Sequence, residues 1–190
     1  MEPWVVYYLI AVNLLGLLFA GLNKFLRTRT SARIGLLVGI VALLGGSVGA
    51  FIGILLFDRK AEKDNMMLYV FMICLLILQT LVVILFASGR VTVNLAIWRF
   101  FIQYKILSVL LAALNVVTFV VYGIDKYRAV KEKSRVPIVT LLLLAAFGGS
   151  IGAWIAMYLF RHKTQKSYFT FGIPLILLTQ LALILFIMNI

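Results

Sequence analysis

The sequence predicts an all-α, polytopic integral membrane protein with six transmembrane helices, and two observations lead to that prediction. Of its 190 residues, 64% are hydrophobic and 13% are charged, and the charged share is about half that of an ordinary soluble domain. The charges are also absent from six stretches, each longer than the roughly 18 residues that a membrane-spanning helix needs. These stretches are residues 3–23, 34–57, 65–89, 106–124, 136–160 and 167–190.

The first three spans lie in residues 1–89. The first span opens with Trp4 and two tyrosines, which is typical of a helix anchored in the interfacial aromatic belt, and we expect no cleavable signal peptide. The second span repeats glycine every four residues at Gly45 and Gly49, which favours close approach of another helix. The third span contains Cys74, the only cysteine, so no disulfide can form within the chain.

The last three spans lie in residues 103–190, after a linker at 90–102. The linker is too short to cross a membrane and Arg99 interrupts its apolar run, so we expect it to lie along the membrane surface. The fifth span repeats the glycine pattern of the second at Gly148 and Gly152. We therefore expect a second close helix contact there.

Polar and glycine residues recur in the same order in the two halves, which indicates an internal duplication. Matches between apolar residues count for little, because apolar spans resemble one another by chance. The ordered matches are Asn13 with Asn115, Asn23-Lys24 with Asp125-Lys126, Gly45-Gly46-Ser47 with Gly148-Gly149-Ser150, and Gln79 with Gln180.

Each half carries three spans, and this odd number predicts that the second repeat is inverted relative to the first. Assigning the loops alternately to the two faces gives ten Lys and Arg residues on one face and eight on the other. Such a near-balance is expected of two opposed copies. The acidic N-terminus, which has no basic residue, favours an N-terminus outside the cell.

Two interpretations fit the glycine pairs and the intramembrane amides. They form packing seams with helix–helix hydrogen bonds, or they mark helix breaks that bind an ion or a polar solute near mid-membrane. The second interpretation makes candidate binding residues of Asn13, Gly45, Gly46, Ser47, Asn115, Gly148, Gly149 and Ser150.

Basic loops flank the fifth span and supply the remaining candidate binding residues: Asp125, Lys126, Arg161, His162 and Lys163. The two ends of a helix of about 25 residues lie some 35 Å apart, so we expect that one copy alone cannot bring these loops together. Either they grip lipid phosphates as ordinary interfacial cations, or they form an anion or phosphate-headgroup site.

The net charge of +12 suggests nucleic acid only in a soluble protein. Here the cations lie in short loops beside membrane faces, so we expect anionic lipid headgroups as partners and no nucleic acid. One His, one Cys and scattered acids form no metal-ligand spacing, and no residue is assigned to catalysis or to a cofactor.

The second half resembles the family catalogued as domain of unknown function 1294, whose members are small membrane proteins of bacteria and archaea. The resemblance covers about 112–187 and rests on the ordered elements Asp125-Lys126, Gly148-Gly149-Ser150-Ile151-Gly152 and Arg161-His162-Lys163-Thr164. The first half resembles the family more faintly, since it has Asn23 for the Asp and Asp58-Arg59-Lys60-Ala61 for the Arg-His-Lys-Thr run. The resemblance implies no activity, but it suggests that single-copy relatives pair head to tail and that this chain is a fused version.

We therefore expect a multi-pass protein of a prokaryotic plasma membrane that is a small channel or transporter for an ion or small, anionic solute. The site would lie at the interface of the inverted repeats, and an oligomer is compatible with the sequence. The alternative is a membrane enzyme or binding factor for a phosphate-bearing lipid that uses Arg161, His162 and Lys163.

Overall fold

The computed structural model describes residues 3–29, 34–58, 66–87 and 96–189, and all the secondary structure in them is helical. Residues 1–2, 30–33, 59–65, 88–95 and 190 lie outside the described residues, and they include Arg33, Arg59-Lys60 and the start of the predicted linker. Among the described residues, six helical segments are long and apolar enough to cross a membrane, as the sequence predicts. They are Trp4–Arg29, Gly35–Phe57, Met66–Leu85, Lys105–Val130, Ile138–Leu159 and Ser167–Asn189.

The chain forms two compact units, Met1–Ile84 and Leu85–Ile190. In the first unit the helices are α1 (Pro3–Arg29), α2 (Gly35–Val41), α3 (Ser47–Phe57) and α4 (Met66–Ala87), with a π-helical turn at Ala42–Gly46 between α2 and α3. In the second unit they are α5 (Ile97–Gln103), α6 (Lys105–Val130), α7 (Ile138–Leu144), α8 (Ser150–Leu159), α9 (Ser167–Thr170) and α10 (Gly172–Asn189), with a π-helical turn at Ala145–Gly149 between α7 and α8.

The segment from α2 to α3 folds back on itself and is here named the first hairpin (Gly35–Phe57). Just before it, the backbone N–H of Ile34 donates to Oδ1 of Asn23 on α1 at 3.0 Å. Its middle reaches Asn13, whose Nδ2 donates to the carbonyl of Gly45 at 3.1 Å. Asn13 lies about 15 Å along α1 from Asn23. Asp58, just after the hairpin, is back beside Arg27 of α1, at 2.8 Å from its Nη2. A straight helix of this length would instead hold its ends about 35 Å apart.

The second hairpin (Ile138–Leu159) reverses in the same way against α6. The backbone N–H of Val136 and the side chain of His162 both hydrogen-bond to Asp125, each at 2.9 Å. The middle of the hairpin lies ten residues earlier on α6, where Asn115 Nδ2 donates to the carbonyl of Gly148 at 2.8 Å. The hairpin therefore starts and ends at the same end of α6. We name that end the mouth, and the reversal at the paired glycines the tip.

A glycine in the left-handed region makes each reversal. Gly45 has φ 110° and Gly148 has φ 122°, values that residues with a Cβ adopt only under strain. The returning arm, α3 or α8, then packs against α1 or α6 with almost no space between the backbones. A Cβ on Gly49 would lie 1.8 Å from the carbonyl oxygen of Asn13, and one on Gly152 would lie 2.1 Å from that of Asn115. The glycines thus provide both a packing seam and a helix break.

One sequence-based expectation is wrong because of these reversals, and the basis for a second no longer applies. The basic loops of the second half were expected to lie too far apart to meet within one copy, yet His162 and Asp125 are in contact within one unit. The inverted topology was inferred from an odd number of crossings in each half. The middle segment of each half returns to the end at which it starts. The count of three crossings in each half therefore no longer applies, and it gives no support to an inverted second repeat.

Candidate functional site: hairpin tips and mouths

The tip of the second hairpin is held by one amide of α6. Asn115 Nδ2 donates to the carbonyl of Gly148 at 2.8 Å, and the N–H of Gly152 donates to Asn115 Oδ1 at 2.7 Å. Gly148 ends the incoming arm, and Gly152 is the third residue of α8. One side chain therefore satisfies a carbonyl freed at the end of one helix and an N–H freed at the start of the next.

A second amide, Gln180 of α10, satisfies the π-helical turn of the second hairpin. Its Nε2 donates to the carbonyls of Ala145 and Ala146, each at 2.8 Å. Its Oε1 accepts a hydrogen bond from the hydroxyl of Ser150. Each backbone group left unsatisfied in hydrocarbon costs several kcal/mol. The predicted polar residues of this half are thus brought together, and they bond to the broken backbone.

The tip of the first hairpin has the same set of hydrogen bonds. Asn13 Nδ2 donates to the carbonyl of Gly45 at 3.1 Å, and Asn13 Oδ1 accepts from the N–H of Gly49 at 2.8 Å. Gln79 of α4 donates from Nε2 to the carbonyl of Ala42 at 2.6 Å and accepts from the hydroxyl of Ser47. Within each unit, the Asn, Ser and Gln side chains therefore converge on the reversal.

A groove of about 540 Å³ reaches the first tip from the side of α4. Its lining contains the polar groups of the tip together with leucine, isoleucine and valine side chains of α1, α4 and the hairpin. Asn13, Ser47 and Gln79 all contribute to it. A small polar molecule or ion that entered this groove would meet hydrogen-bonding groups in an otherwise apolar wall.

Thr118, which sequence reasoning missed, lies against the second tip. Its side chain is fully buried, and its Oγ1 has no hydrogen-bond partner among the described residues. That oxygen lies 2.0 Å from where a Cβ on Gly149 would stand. The equivalent position in the first half is Gly16. Only a comparison of the two halves could therefore have drawn attention to Thr118 from the sequence.

At the mouth of the second unit, the carboxylate of Asp125 holds both ends of the hairpin. Its Oδ1 accepts from the N–H of Val136 at 2.9 Å, before the first arm. Its Oδ2 lies 2.9 Å from Nε2 of His162 and 2.7 Å from Nζ of Lys163, after the second arm. Asp125 is fully buried, and the side chains of His162 and Lys163 are 14% and 12% exposed. The carboxylate is therefore shielded from water and paired with two basic groups.

The turn that delivers the basic side chains is conformationally strained. Arg161 and Lys163 have φ values of 45° and 63°, in the left-handed region that non-glycine residues rarely adopt. Burial lowers the pKa of Lys163, although its hydrogen bond to Asp125 acts in the opposite direction. Lys163 Nζ also stands 4.9 Å from the centroid of the Phe169 ring, a cation–π geometry. Arg161 is exposed.

At the first mouth, two residues make the backbone hydrogen bond and the ion pairs that Asp125 makes alone in the second unit. Asn23 Oδ1 accepts from the N–H of Ile34, as Asp125 does from Val136, and both bonds join residues eleven apart. The ion pairs are formed by Asp58 after the hairpin, with Lys24 at 3.0 Å and Arg27 at 2.8 Å on α1. The acid thus lies on the helix in the second unit and on the hairpin in the first.

Comparison with known proteins places the second hairpin in a family. Residues 115–169 match the model described as "Protein of unknown function (DUF1294)". The chain is also 39% identical over 79 residues to "Uncharacterized protein YsdA" of Bacillus subtilis (strain 168). That alignment covers 42% of this chain and 89% of the relative. The chain belongs to the DUF1294 family. No solved structure is significantly similar to it.

The DUF1294 match begins and ends on structurally informative residues. It starts at Asn115, which holds the tip, and ends at Phe169, whose ring stands near Lys163. It contains both partners of the ion pair at the mouth, Asp125 and Lys163. The DUF1294 region is therefore the hairpin, together with the stretch of α6 on which the hairpin folds.

Proposed function

We propose that this protein is a small channel or transporter for an ion or small solute, with the hairpin tips as its binding region. The observation that supports this most is the helix break at the tip of each hairpin. Non-helical backbone at membrane depth is tolerated where it is buried in protein or lines a cavity, and broken helices bind solutes in many transporters. The groove at Asn13, Ser47 and Gln79 is the cavity that this function needs.

The chemistry of the tip favours an anionic or polar solute. α3 and α8 begin at the tips, and the amino end of a helix carries about half a positive charge from the aligned peptide dipoles. Asn13 and Asn115 hold the third N–H of each helix. A serine hydroxyl stands at the first position of each, at Ser47 and Ser150. These N–H and hydroxyl donors already bond to the Asn and Gln side chains. The positive amino ends of α3 and α8 are therefore what complements a negative charge, without a charged side chain in the membrane.

We also propose that the two units descend from one duplicated ancestor. The support comes from equivalent hydrogen bonds at equivalent positions. Asn13 and Asn115 each join the last residue of one arm to the third residue of the next. Gln79 and Gln180 each bond to two successive carbonyls of the π-helical turn and to a serine. Packing between arbitrary apolar helices would not reproduce this set.

The transport proposal is tested with purified protein in liposomes and a flux panel of chloride, phosphate, potassium and glycerol. Val83 lines the groove, whereas the hydrogen bonds of the tip are made by Asn13, Ser47 and Gln79. Val83→Trp therefore fills the groove and leaves those bonds intact. We expect it to reduce flux at least tenfold. Ile73→Trp, at an exposed position of the same helix outside the groove, is the matched control and keeps the wild-type rate. Absence of flux for every solute in the wild type refutes the proposal.

A second function is supported by one observation at the mouth. A carboxylate orients His162, which is the arrangement that prepares a histidine for acid–base chemistry. Arg161 is exposed beside it. A phosphate-bearing lipid could therefore be bound or cleaved at this loop. His162→Ala abolishes such an activity on vesicles containing phosphatidic acid, whereas Lys105→Ala, at an exposed cation at the opposite end of the unit, retains it.

A further inference from the structure

The basic residues of the second unit gather at one end of it, because the hairpin returns to the end at which it starts. The sequence ranges 126–135 and 161–166 both lie at the mouth. Together they contain eight of the chain's 18 Lys and Arg residues. In the described part of the opposite end there are two, Arg99 and Lys105, beside the first residues of α6.

Most of the cations at the second mouth are available to a partner. Asp125 is buried and already paired with His162 and Lys163, so Glu132 is the only exposed acid in this part of the described chain. The mouth is therefore a predominantly positively charged surface at the edge of the apolar span. Its exposed cations are Arg128, Lys131, Lys133, Arg135, Arg161 and Lys166.

We infer that the mouth of the second unit lies at the cytoplasmic surface of the membrane and binds the anionic headgroups of that leaflet. Short loops rich in Lys and Arg remain on the cytoplasmic side during insertion. The cytoplasmic leaflet carries anionic lipids that attract such clusters. The near-balance of ten and eight assumes that the hairpin is a crossing helix, and this assumption assigns its two flanking loops to opposite faces.

The first unit, considered by itself, has the same asymmetry. Lys24, Arg27 and Arg29 lie in the last two turns of α1, at its mouth. The described residues 3–22 and 66–87 contain no Lys or Arg.

Orientation is tested by single-cysteine labelling of the full chain in bacterial spheroplasts. Cys74→Ala removes the native thiol, and Lys131→Cys then places one at the second mouth, whereas Gln103→Cys places a matched exposed thiol at the opposite end. A membrane-impermeant maleimide should label Gln103→Cys in intact spheroplasts and Lys131→Cys only after permeabilisation. Denatured samples of both show that each thiol can react. Labelling of Lys131→Cys in intact spheroplasts overturns the inference.

Headgroup binding is tested by lipid retention. The wild type is extracted in mild detergent from vesicles of phosphatidylglycerol and phosphatidylethanolamine, and the retained lipids are quantified. We expect phosphatidylglycerol to be enriched, and the enrichment to fall at least twofold in Lys131→Gln/Lys133→Gln/Lys166→Gln. The control Arg99→Gln/Lys105→Gln changes the opposite end and should retain the wild-type ratio. Equal ratios in all three proteins overturn the binding to anionic headgroups.

Discussion

Substitution of Asp125 can separate the two interactions of its carboxylate, the hydrogen bond to Val136 and the contacts with His162 and Lys163. Asp125→Asn keeps an oxygen that accepts from the N–H of Val136, as Asn23 does from Ile34 in the first unit. It removes the negative charge that neutralises Lys163 and holds His162. Asp125→Ala removes both interactions. Asp125→Asn therefore releases one end of the hairpin, and Asp125→Ala releases both ends.

The expected free-energy changes follow from the burial of this cluster. Asp125 is fully buried and Lys163 is 12% exposed, and loss of one partner of a buried pair costs about 3–5 kcal/mol. We expect Asp125→Asn to destabilise by about 3 kcal/mol, at the lower limit because Lys163 lies near the membrane edge. Asp125→Ala also leaves the Val136 N–H without its acceptor, which adds about 1–2 kcal/mol.

The assay combines unfolding in mixed detergent micelles with amide hydrogen exchange. In Asp125→Asn we expect faster exchange after the hairpin, around His162, and unchanged protection of Val136. In Asp125→Ala both segments should exchange faster. Glu132→Gln, at an exposed acid of the same mouth, is the control and should have no effect. If Asp125→Asn were as stable as the wild type, or exposed both segments equally, the assignment of one oxygen to each end would be refuted.

Three further predictions concern the tips and the mouth. Gly148→Ala should lower the unfolding free energy by about 1–3 kcal/mol, because φ is 122° and the new Cβ would lie 2.6 Å from Leu111 Cδ2. The control is Gly35→Ala, because no atom lies near the added Cβ there. It should be neutral or slightly stabilising in the same denaturation assay. Thr118→Val should be neutral or stabilising by about 1 kcal/mol, since it removes a buried hydroxyl without a partner among the described residues. A marked loss of stability would show that this oxygen has a polar partner. Because burial lowers the pKa of Lys163, the unfolded chain binds more protons than the folded one between that lowered value and the ordinary 10.5. Lys163 should therefore add stability as the pH rises through that window, so the wild type should gain stability relative to Lys163→Met in a pH series of unfolding midpoints.

The apolar segments and their helical nature could be predicted from the sequence, because length and composition alone determine whether a segment can occupy a membrane. The reversal of 35–57 and 138–159 could not, because a segment of 22 or 23 apolar residues satisfies the length criterion whether it is straight or folded. The paired glycines raised a helix break as one alternative, but a break does not specify its angle. That angle depends on the φ of Gly45 and Gly148 and on Asn13 and Asn115, which hold both arms from a neighbouring helix.

At the candidate site, the sequence identified the amides and the basic loop as residues of interest but assigned wrong neighbours to some of them. Asp125 and His162 were placed at opposite ends of a crossing helix, whereas they are 2.9 Å apart. Thr118 gave no signal in a single copy, because one threonine in an apolar helix is unremarkable. The matched Asn23 and Asp125 were visible in the sequence, but their hydrogen bonds to backbone groups eleven residues later require the fold.

The exchanged sign of the ion pairs makes each hairpin specific to its own helix. The first hairpin brings a negative Asp58 to cations on α1, and the second brings His162 and Lys163 to a negative Asp125 on α6. A chimaera that places the second hairpin on α1 would set Lys163 against Lys24 and Arg27 without a carboxylate. The two hairpins therefore cannot be exchanged alone, and each must be moved together with the helix that neutralises it.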